Sequence, residues 1–394
     1  MDNERSRRMV LVLGLMVFWA NGDNYVAAPL IVEIAKAFHL DIGTAALTVT
    51  SYMLPFGLFT LIFGPLADRY GKARIINLAA FGSAIFCGLG ALATDIFSLS
   101  AIRAVSGAFG AGILPVTMSL IGDSFGRDPK ALQNTLGQML GMAFLGGAAG
   151  TIIGGALAFM GSWRLVYLVY GLTGLIIATI MLKTIERQPG TTAQFSLRRA
   201  YQEAFANTDL LKTVSIIFLM GASVFGSFTY AGKFVETQTG VNILWVGVIL
   251  TCFGVATIIG GRQAGACRQK LGNRVLLFGA LMGSVSWAVM GAWHSPVFIS
   301  LSLAGFGLGF ILIQSSLLTT AQQLMPQRRG TVMSLASFNM FVGGGLGTLM
   351  NGHILTKWGF EAVFLGAAGL ILLAGIIAAR LLDRVSPAIP SKAS

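Results

Sequence analysis

The amino-acid sequence predicts an all-α membrane protein with twelve transmembrane helices arranged as two six-helix halves. Composition is the first reason, because 55% of the 394 residues are hydrophobic and 11% are charged, against about 25% charged in soluble globular domains. The second reason is a series of unbroken apolar runs of about twenty residues, a length that crosses a bilayer as a helix. These runs do not alternate polar and apolar residues, which argues against a porin-type barrel. The third reason is an internal repeat that divides the chain into two similar parts.

Twelve apolar runs have the required length, and charged or turn-forming residues separate them. The predicted spans, in order, are 9–32, 43–66, 75–94, 97–122, 132–160, 163–183, 211–232, 243–261, 275–293, 296–320, 331–357 and 361–382.

The distribution of basic residues predicts the orientation of these spans. With a cytoplasmic N-terminus, 22 of the 27 lysines and arginines lie on the inner side, which satisfies the positive-inside rule. Both termini are then cytoplasmic, in a multi-pass protein of the inner (plasma) membrane. The net charge of +12 follows from this topology, so we do not expect a nucleic-acid partner.

The internal repeat gives the domain organisation. Gly146 in the fifth predicted span corresponds to Gly343 in the eleventh, at an offset of 197 residues within similar glycine patterns. Two similar six-span halves are typical of secondary transporters, whose substrate site lies between the halves near the midplane of the membrane. The predicted parts are an N-terminal half 1–183, a cytoplasmic linker 184–210 and a C-terminal half 211–394. The sequence leaves open whether the linker is a plain solvated loop or has a regulatory role.

Two ionisable residues interrupt the apolar spans. Asp23 lies nine residues from the predicted outer end of the first span, roughly 14 Å at about 1.5 Å per residue. Arg103 lies six residues into the fourth span, roughly 9 Å deep by the same rule. A lone charge there costs at least about 2.5–3.5 kcal/mol, so each needs a partner or a wet cavity. We expect the two to pair and to couple protons; the alternative is that Arg103 reaches the outer headgroups while Asp23 binds water.

A cluster of charged and turn-forming residues, Gly64–Arg74, separates the second and third spans, and we predict a cytoplasmic loop there. Gly64 and Gly71 supply turn geometry. The basic side chains hold the loop at the anionic inner surface; they are Arg69, Lys72 and Arg74. These roles leave Asp68, an acid among cations, without an explanation.

Four motifs resemble the major facilitator superfamily, and in particular its twelve-span drug:proton antiporter branch. They are Asp23-x5-Pro29, Gly64-x-Leu66-Ala67-Asp68-Arg69-x-Gly71-Lys72-x-Arg74, Arg103-x3-Gly107-x2-Gly110 and Gly137-x8-Gly146-x3-Gly150-Thr151-x2-Gly154-Gly155. The family usually has proline where this chain has Thr151. The span-five glycines form a stripe that lets helices pack backbone to backbone, and the resemblance implies an interface that seals against proton leak.

The resemblance also implies roles for further residues. Asp68 would bridge to the start of the eleventh span, near Gly330 and Thr331 and after Arg328 and Arg329, and so hold the outward-facing state. A substrate cavity would be lined by polar side chains of the facing spans. Its candidates are Asn24, Tyr25, Tyr52, Gln138 and Gln314, each of which has a helix–helix hydrogen bond as the alternative role.

Nothing in the sequence supports chemistry on a substrate, so we do not expect an enzyme. A GxxxxGK[ST] motif is absent, which argues against direct ATP drive, and the three cysteines have no metal-ligand spacing. We therefore expect no cofactor and no metal, and as partners a small-molecule substrate, protons and the bilayer, with the chain as a monomer. The predicted function is export of a small organic or amphipathic solute, a drug or a metabolite, in exchange for protons. The open alternatives are a proton-symporting importer or passive facilitator of a small polar solute such as a sugar, and a receptor on a transporter fold.

Overall fold

The structure is a computed structural model that describes residues 3–27, 30–40, 42–45, 47–160, 162–186, 189–190, 197–241, 243–293 and 295–385. The described residues are almost entirely helical and contain no β-strand. Twelve of their helical segments are long and apolar enough to cross a membrane. This confirms the predicted all-α fold with twelve spans.

We number the spans one to twelve in chain order. They are Glu4–Val26, Leu47–Tyr70, Lys72–Leu92, Ile96–Phe125, Pro129–Leu157, Trp163–Thr184, Thr208–Thr239, Trp245–Leu271, Arg274–Ala292, Pro296–Leu324, Pro326–Leu355 and Lys357–Arg384. Three shorter helices lie outside the spans: Ile31–Phe38, Ile42–Ala45 and the linker helix Leu197–Ala206.

The predicted outer end of span one is wrong. The helix ends at Val26, six residues before the predicted end, and a separate helix, Ile31–Phe38, follows. Pro29 lies between the two helices and outside the described residues; a proline disfavours helical conformation at the residue before it. Asp23 is therefore three residues from the end of span one, about 4.5 Å at 1.5 Å per residue, rather than the predicted 14 Å.

The predicted loop at Gly64–Arg74 is also wrong, because the chain is helical there on both sides of a single residue. The helix Leu47–Tyr70 includes Gly64, and the next helix begins at Lys72. Only Gly71 leaves the helical conformation, with φ 93°, a value that glycine adopts without a Cβ clash. Gly272, at an offset of 201 residues, also has a positive φ, 58°, in the two-residue break between the helices that end at Leu271 and begin at Arg274. The turn therefore depends on Gly71 alone, and the charged residues lie on helix ends.

Span four is present as predicted, but it is a broken helix. It consists of Ile96–Gly110 and Ile113–Phe125, because Pro115 has no N–H to donate to the preceding turn. Asp95 caps its first half by accepting hydrogen bonds from the backbone N–H groups of Ser98 and Phe97, both at 2.9 Å. The hydrogen bond from Ser98 holds the pKa of the Asp95 carboxyl below its usual value. This cap fixes the N-terminal end of the helix that carries Arg103.

The chain forms two compact units, which are Met1–Leu120 with Met142–Leu197, and Ile121–Gly141 with Arg198–Ser394. The last residues of span four and the first part of span five therefore belong with the C-terminal helices. These units are defined by contacts between residues. The division into moving halves 1–183 and 211–394 stays a prediction.

Each unit contains one close helix crossing that reproduces the sequence repeat. In the first unit, a Cβ on Gly146 of span five would overlap the carbonyl oxygen of Phe18 in span one. In the second unit, a Cβ on Gly343 of span eleven would overlap the carbonyl oxygen of Phe218 in span seven in the same way. These glycines let the two backbones touch, which is the close approach that small-residue stripes permit in membranes.

The other glycines of the span-five stripe differ in their surroundings. A Cβ on Gly150 would contact the backbone of Gly22, 2.5 Å from its carbonyl oxygen. Gly154 is buried. Gly155 has no described atom within 4 Å of the position of a Cβ. The close crossing is therefore centred on Gly146 and Gly150.

Candidate functional site

Asp23 and Arg103 form an ion pair inside the first unit. Nη1 of Arg103 donates to Oδ1 of Asp23 at 2.8 Å, and Nη2 donates to the backbone oxygen of Asp23 at 3.2 Å. Both side chains are completely buried. A buried pair of this kind needs good geometry and further hydrogen bonds to offset the loss of hydration.

Two further side chains surround the carboxylate of Asp23. The thiol of Cys87, in span three, lies 3.2 Å from Oδ1. The hydroxyl of Ser106, one turn along from Arg103, lies 3.5 Å from Oδ2 and 3.2 Å from the carbonyl oxygen of Ser83. Spans one, three and four therefore converge on one carboxylate, and both of its oxygens face donors.

Two tyrosine rings flank the guanidinium group of Arg103. Its Cζ atom lies 4.1 Å from the ring centre of Tyr52, in span two, and 5.6 Å from that of Tyr167, in span six. At these distances the ring faces attract the cation. The hydroxyl oxygen of Tyr167 is buried and has no hydrogen-bond partner among the described residues. Buried polar atoms without a partner require an explanation, and a polar solute or solvent would supply one.

The glycines after Arg103 explain how Tyr52 comes so close. Gly107 and Gly110 lie on the same helical face as Arg103, by their i, i+4 and i+7 spacing. A Cβ on Gly107 would overlap the carbonyl oxygen of Tyr52, and one on Gly110 would lie 2.8 Å from its hydroxyl. Spans two and four therefore touch backbone to backbone beside the ion pair.

The remaining candidates for a substrate cavity fall in both units. In the first unit, Asn24 is buried beside Asp23, and Tyr25 packs against Gly147. In the second unit, Gln138 is half-buried, and Nε2 of the buried Gln314 lies 3.4 Å from Sδ of Met340. Oδ1 of Asn24 and Oε1 of Gln314 have no hydrogen-bond partner among the described residues. A shared cavity for these residues stays a prediction.

The acid of the Gly64–Arg74 stretch is buried. Oδ1 of Asp68 lies 3.8 Å from Nζ of Lys72, and neither side chain is more than 4% exposed. A Cβ on Gly190, in the linker segment, would overlap the carbonyl oxygen of Arg69, so the linker passes directly against this stretch. The predicted bridge from Asp68 to the start of span eleven stays a prediction.

The two arginines at the start of span eleven have acidic partners within the second unit. Arg329 donates to the carbonyl oxygen of Gly122 at 2.6 Å and to Oδ1 of Asp123 at 3.2 Å. Arg328 donates to both carboxylate oxygens of Glu203 in the linker helix, with Nη2 at 3.0 Å from Oε1. The hydrogen bonds from Arg328 hold the pKa of Glu203 below its usual value. The linker helix is thereby attached to span eleven.

The first half of span five makes polar and close backbone contacts in the second unit. Gln133 donates to the hydroxyl of Ser316 at 2.8 Å, and Asn134 accepts from the backbone N–H of Gly265 at 2.6 Å. One turn further on, a Cβ on Gly137 would lie 2.5 Å from the Cα atom of Gly261, which is closer than a normal contact. The N-terminal part of span five is thus joined to the C-terminal parts of spans eight and ten.

Sequence reasoning missed several residues of these two regions. Around Asp23 they are Cys87, Ser106 and Tyr167; in the second unit they are Asp123, which pairs with Arg329, and Gln133, which contacts span ten. Asp123 is an acid near the C-terminal end of an apolar span, and this is the signal that could have identified it. Cys87 and Ser106 carry no such signal, because small weakly polar residues are common in membrane spans.

Comparison with known proteins gives a family match and a set of relatives. The model of the Major Facilitator Superfamily matches residues 13–348. The MFS-type transporter YceJ of Bacillus subtilis is 26% identical over 356 residues, which cover 86% of this chain and 87% of that protein. The multidrug resistance protein MdtG of Escherichia coli is 27% identical over 326 residues, covering 79% of this chain and 77% of that protein. Multidrug resistance protein D of Escherichia coli is 24% identical over 361 residues, covering 88% and 89%.

A solved structure is also similar to this chain. The crystal structure of the human organic anion transporter MFSD10 (TETRAN) matches with a TM-score of 0.73 and 15% sequence identity, covering 94% of this chain and 99% of that one. At this identity the likeness shows the fold alone.

Proposed function

Because this chain belongs to the major facilitator superfamily and is a membrane transporter, we propose that it exports a small organic or amphipathic solute in exchange for protons. Relatives named multidrug resistance proteins match most of its length, and they support efflux as the direction. The substrate is then a drug-like or metabolite solute that moves by alternating access.

The observation that carries the proposal is the buried pair of Asp23 and Arg103. Asp23 is the one acidic residue of span one after Glu4, and its carboxylate accepts a hydrogen bond from the guanidinium group at 2.8 Å. An anionic Asp23 holds Arg103, whereas a protonated Asp23 releases it. Because intramembrane ionisable residues mark proton or substrate pathways, this pair is the proposed proton-coupling element.

The energy that one proton supplies is sufficient for useful export. A proton that moves inward across a membrane potential of about 100 mV gains about 2.3 kcal/mol. Since about 1.4 kcal/mol corresponds to a tenfold ratio, this sustains a gradient of about 50-fold for a neutral solute. The proposed export therefore needs no energy source other than the movement of protons.

The distribution of basic residues supports a cytoplasmic location for both termini in the plasma membrane. If the halves 1–183 and 211–394 move as bodies, opening to the cytoplasm must break the contacts of Gln133 and Asn134 with spans ten and eight. It must also part Arg329 from Asp123. We propose that these contacts belong to the state that is closed toward the cytoplasm.

Reconstitution of the purified chain tests the proposed exchange. Proteoliposomes would contain a pH-sensitive dye, and the probes would be a lipophilic cation such as ethidium, a neutral steroid and an amphipathic anion. With an acidic lumen we expect at least one probe to enter while the lumen becomes more alkaline, and reversal of the pH gradient to reverse the probe's movement. A probe that moves together with the protons would instead indicate symport, and one that equilibrates without a change in lumen pH would indicate a passive facilitator.

We expect Asp68→Asn to increase opening toward the cytoplasm. Asp68 is 1% exposed, and we propose that its carboxylate stabilises the state that is closed on that side. Loss of a hydrogen bond to a charged group costs about 1.5 kcal/mol or more, which is roughly a tenfold shift in population. The measurement is the rate of maleimide labelling at Ala336→Cys in span eleven, in a background with Cys252→Ala and Cys267→Ala.

The matched control is Asp209→Asn, which removes an exposed acid that pairs with Lys212 at the inner end of span seven. Labelling in this control should keep the reference rate. An unchanged labelling rate in Asp68→Asn, at equal expression, would refute the role of Asp68.

A further inference from the structure

We infer that Cys87 is a positioning residue that sets the proton affinity of Asp23, with its thiol as a hydrogen-bond donor that favours the anionic carboxylate. The inference rests on the proposed role of Asp23 in proton coupling. The ion pair of Asp23 and Arg103 can form without this buried thiol, and the inference gives the thiol a function.

The thiol has one acceptor for each protonation state of the carboxylate. Sγ of Cys87 lies 3.2 Å from Oδ1 of Asp23 and 3.9 Å from the carbonyl oxygen of Tyr167. An S–H group donates one hydrogen bond at a time. While Asp23 is anionic, its nearby charged oxygen is the better acceptor. When Asp23 is protonated that advantage disappears, and the thiol is left with the more distant carbonyl oxygen.

Close backbone contacts beside Cys87 fix the helix that carries the thiol. Gly88 follows Cys87 directly, and a Cβ on Gly171 of span six would overlap the Cα atom of Gly88. Spans three and six are therefore in backbone contact beside the thiol. Cys87 itself is completely buried, so bulk water does not compete for its hydrogen bond.

The other titratable and charged groups around Asp23 come from spans two, four and six. Arg103 shares Oδ1 with the thiol, at 2.8 Å. Tyr52 and Tyr167 face the guanidinium group with their rings, and the hydroxyl of Tyr170 lies 2.9 Å from the position of a Cβ on Gly22, next to Asp23. Arg103 also favours the anionic carboxylate, but its replacement by a neutral residue would change the charge of the site. A conservative substitution of Cys87 changes the strength of its hydrogen bond to Asp23 without altering the charge of the site.

A hydrogen bond that forms only with the anionic carboxylate lowers the affinity of that carboxylate for protons. Removal of the thiol donor therefore makes Asp23 bind a proton at higher pH. A hydroxyl is a stronger donor than a thiol, so Cys87→Ser should preserve or strengthen the effect. A purely packing role predicts no such ordering of the two variants, because both remove the same sulfur atom.

The test is a pH titration of the full-length protein in lipid nanodiscs by infrared spectroscopy. The signal is the band of the protonated carboxyl group that disappears in Asp23→Asn. We expect Cys87→Ala to raise the midpoint pH by about one unit, which is a tenfold gain in proton affinity, and Cys87→Ser to leave the midpoint at or below that of the unchanged protein. Cys252→Ala is the matched control, because among the described residues the thiol of Cys252 has one acceptor, the carbonyl oxygen of Val248 in its own helix, at 3.9 Å.

The outcomes separate this inference from the proposed function. If Asp23 titrates but Cys87→Ala keeps the original midpoint in a folded protein, or if the serine and alanine variants shift together, the role of Cys87 is refuted and the coupling role of Asp23 stands. If no band is lost in Asp23→Asn over the pH range in which the protein is stable, the proposed function itself fails. Circular dichroism of each variant establishes that the helices are intact.

Discussion

Asp23→Asn is expected to abolish proton-driven transport while the chain still inserts and folds. Asparagine has nearly the same shape as aspartate and keeps an oxygen that accepts from Arg103, but it cannot take up a proton. Transport driven by an imposed pH gradient should therefore fall to the level of empty proteoliposomes. Exchange of solute across the membrane in the absence of a pH gradient should persist, since the altered residue is needed only for coupling.

A control for stability is necessary because the substitution removes one partner of a buried pair. Such a change costs about 3–5 kcal/mol when it leaves a buried charge without compensation. We therefore expect a lower thermal midpoint for Asp23→Asn, and partial recovery in the neutral double variant Asp23→Asn with Arg103→Gln. The double variant should remain uncoupled. Undiminished pH-driven transport by Asp23→Asn, at matched expression, would show that the proton site lies elsewhere.

The second large effect is expected at the close helix crossings, where Gly146→Ala and Gly343→Ala should strongly destabilise the protein. The new Cβ atoms would overlap the carbonyl oxygens of Phe18 and Phe218, and a backbone atom cannot rotate away as a side chain does. Overpacking of this kind costs about 1–3 kcal/mol or more. Thermal unfolding in detergent, followed by circular dichroism, measures the loss.

Two glycines of the same helices supply controls with the opposite expected sign. Gly155 and Gly345 have no described atom within 4 Å of a Cβ position. Alanine is better than glycine in a helix interior by about 0.5–1 kcal/mol, so Gly155→Ala and Gly345→Ala should be neutral or slightly stabilising. Equal stability for Gly146→Ala and Gly155→Ala would contradict the crossing.

The errors made from the sequence share one origin. The Gly64–Arg74 stretch has the composition of a loop, yet only Gly71 leaves the helix, because charged residues are good helix formers and one positive φ is enough to turn the chain. The end of span one was placed too far out for a related reason: the apolar composition continues past Val26, although the helix does not. Composition marks what lies in the membrane, whereas single backbone angles decide where helices end.

The sequence by itself determined the twelve spans, their repeat and the two ionisable residues in spans one and four. These follow from hydropathy, length and spacing, which are local properties of the chain. The tertiary structure alone decided which side chains complete the site. Cys87 is 64 residues from Asp23 in the sequence, and Tyr167 is 80 residues from Cys87. These residues meet because glycine contacts bring their helices together. Which small polar residue faces a charge is set by helix rotation and crossing, and no local pattern in the chain specifies these.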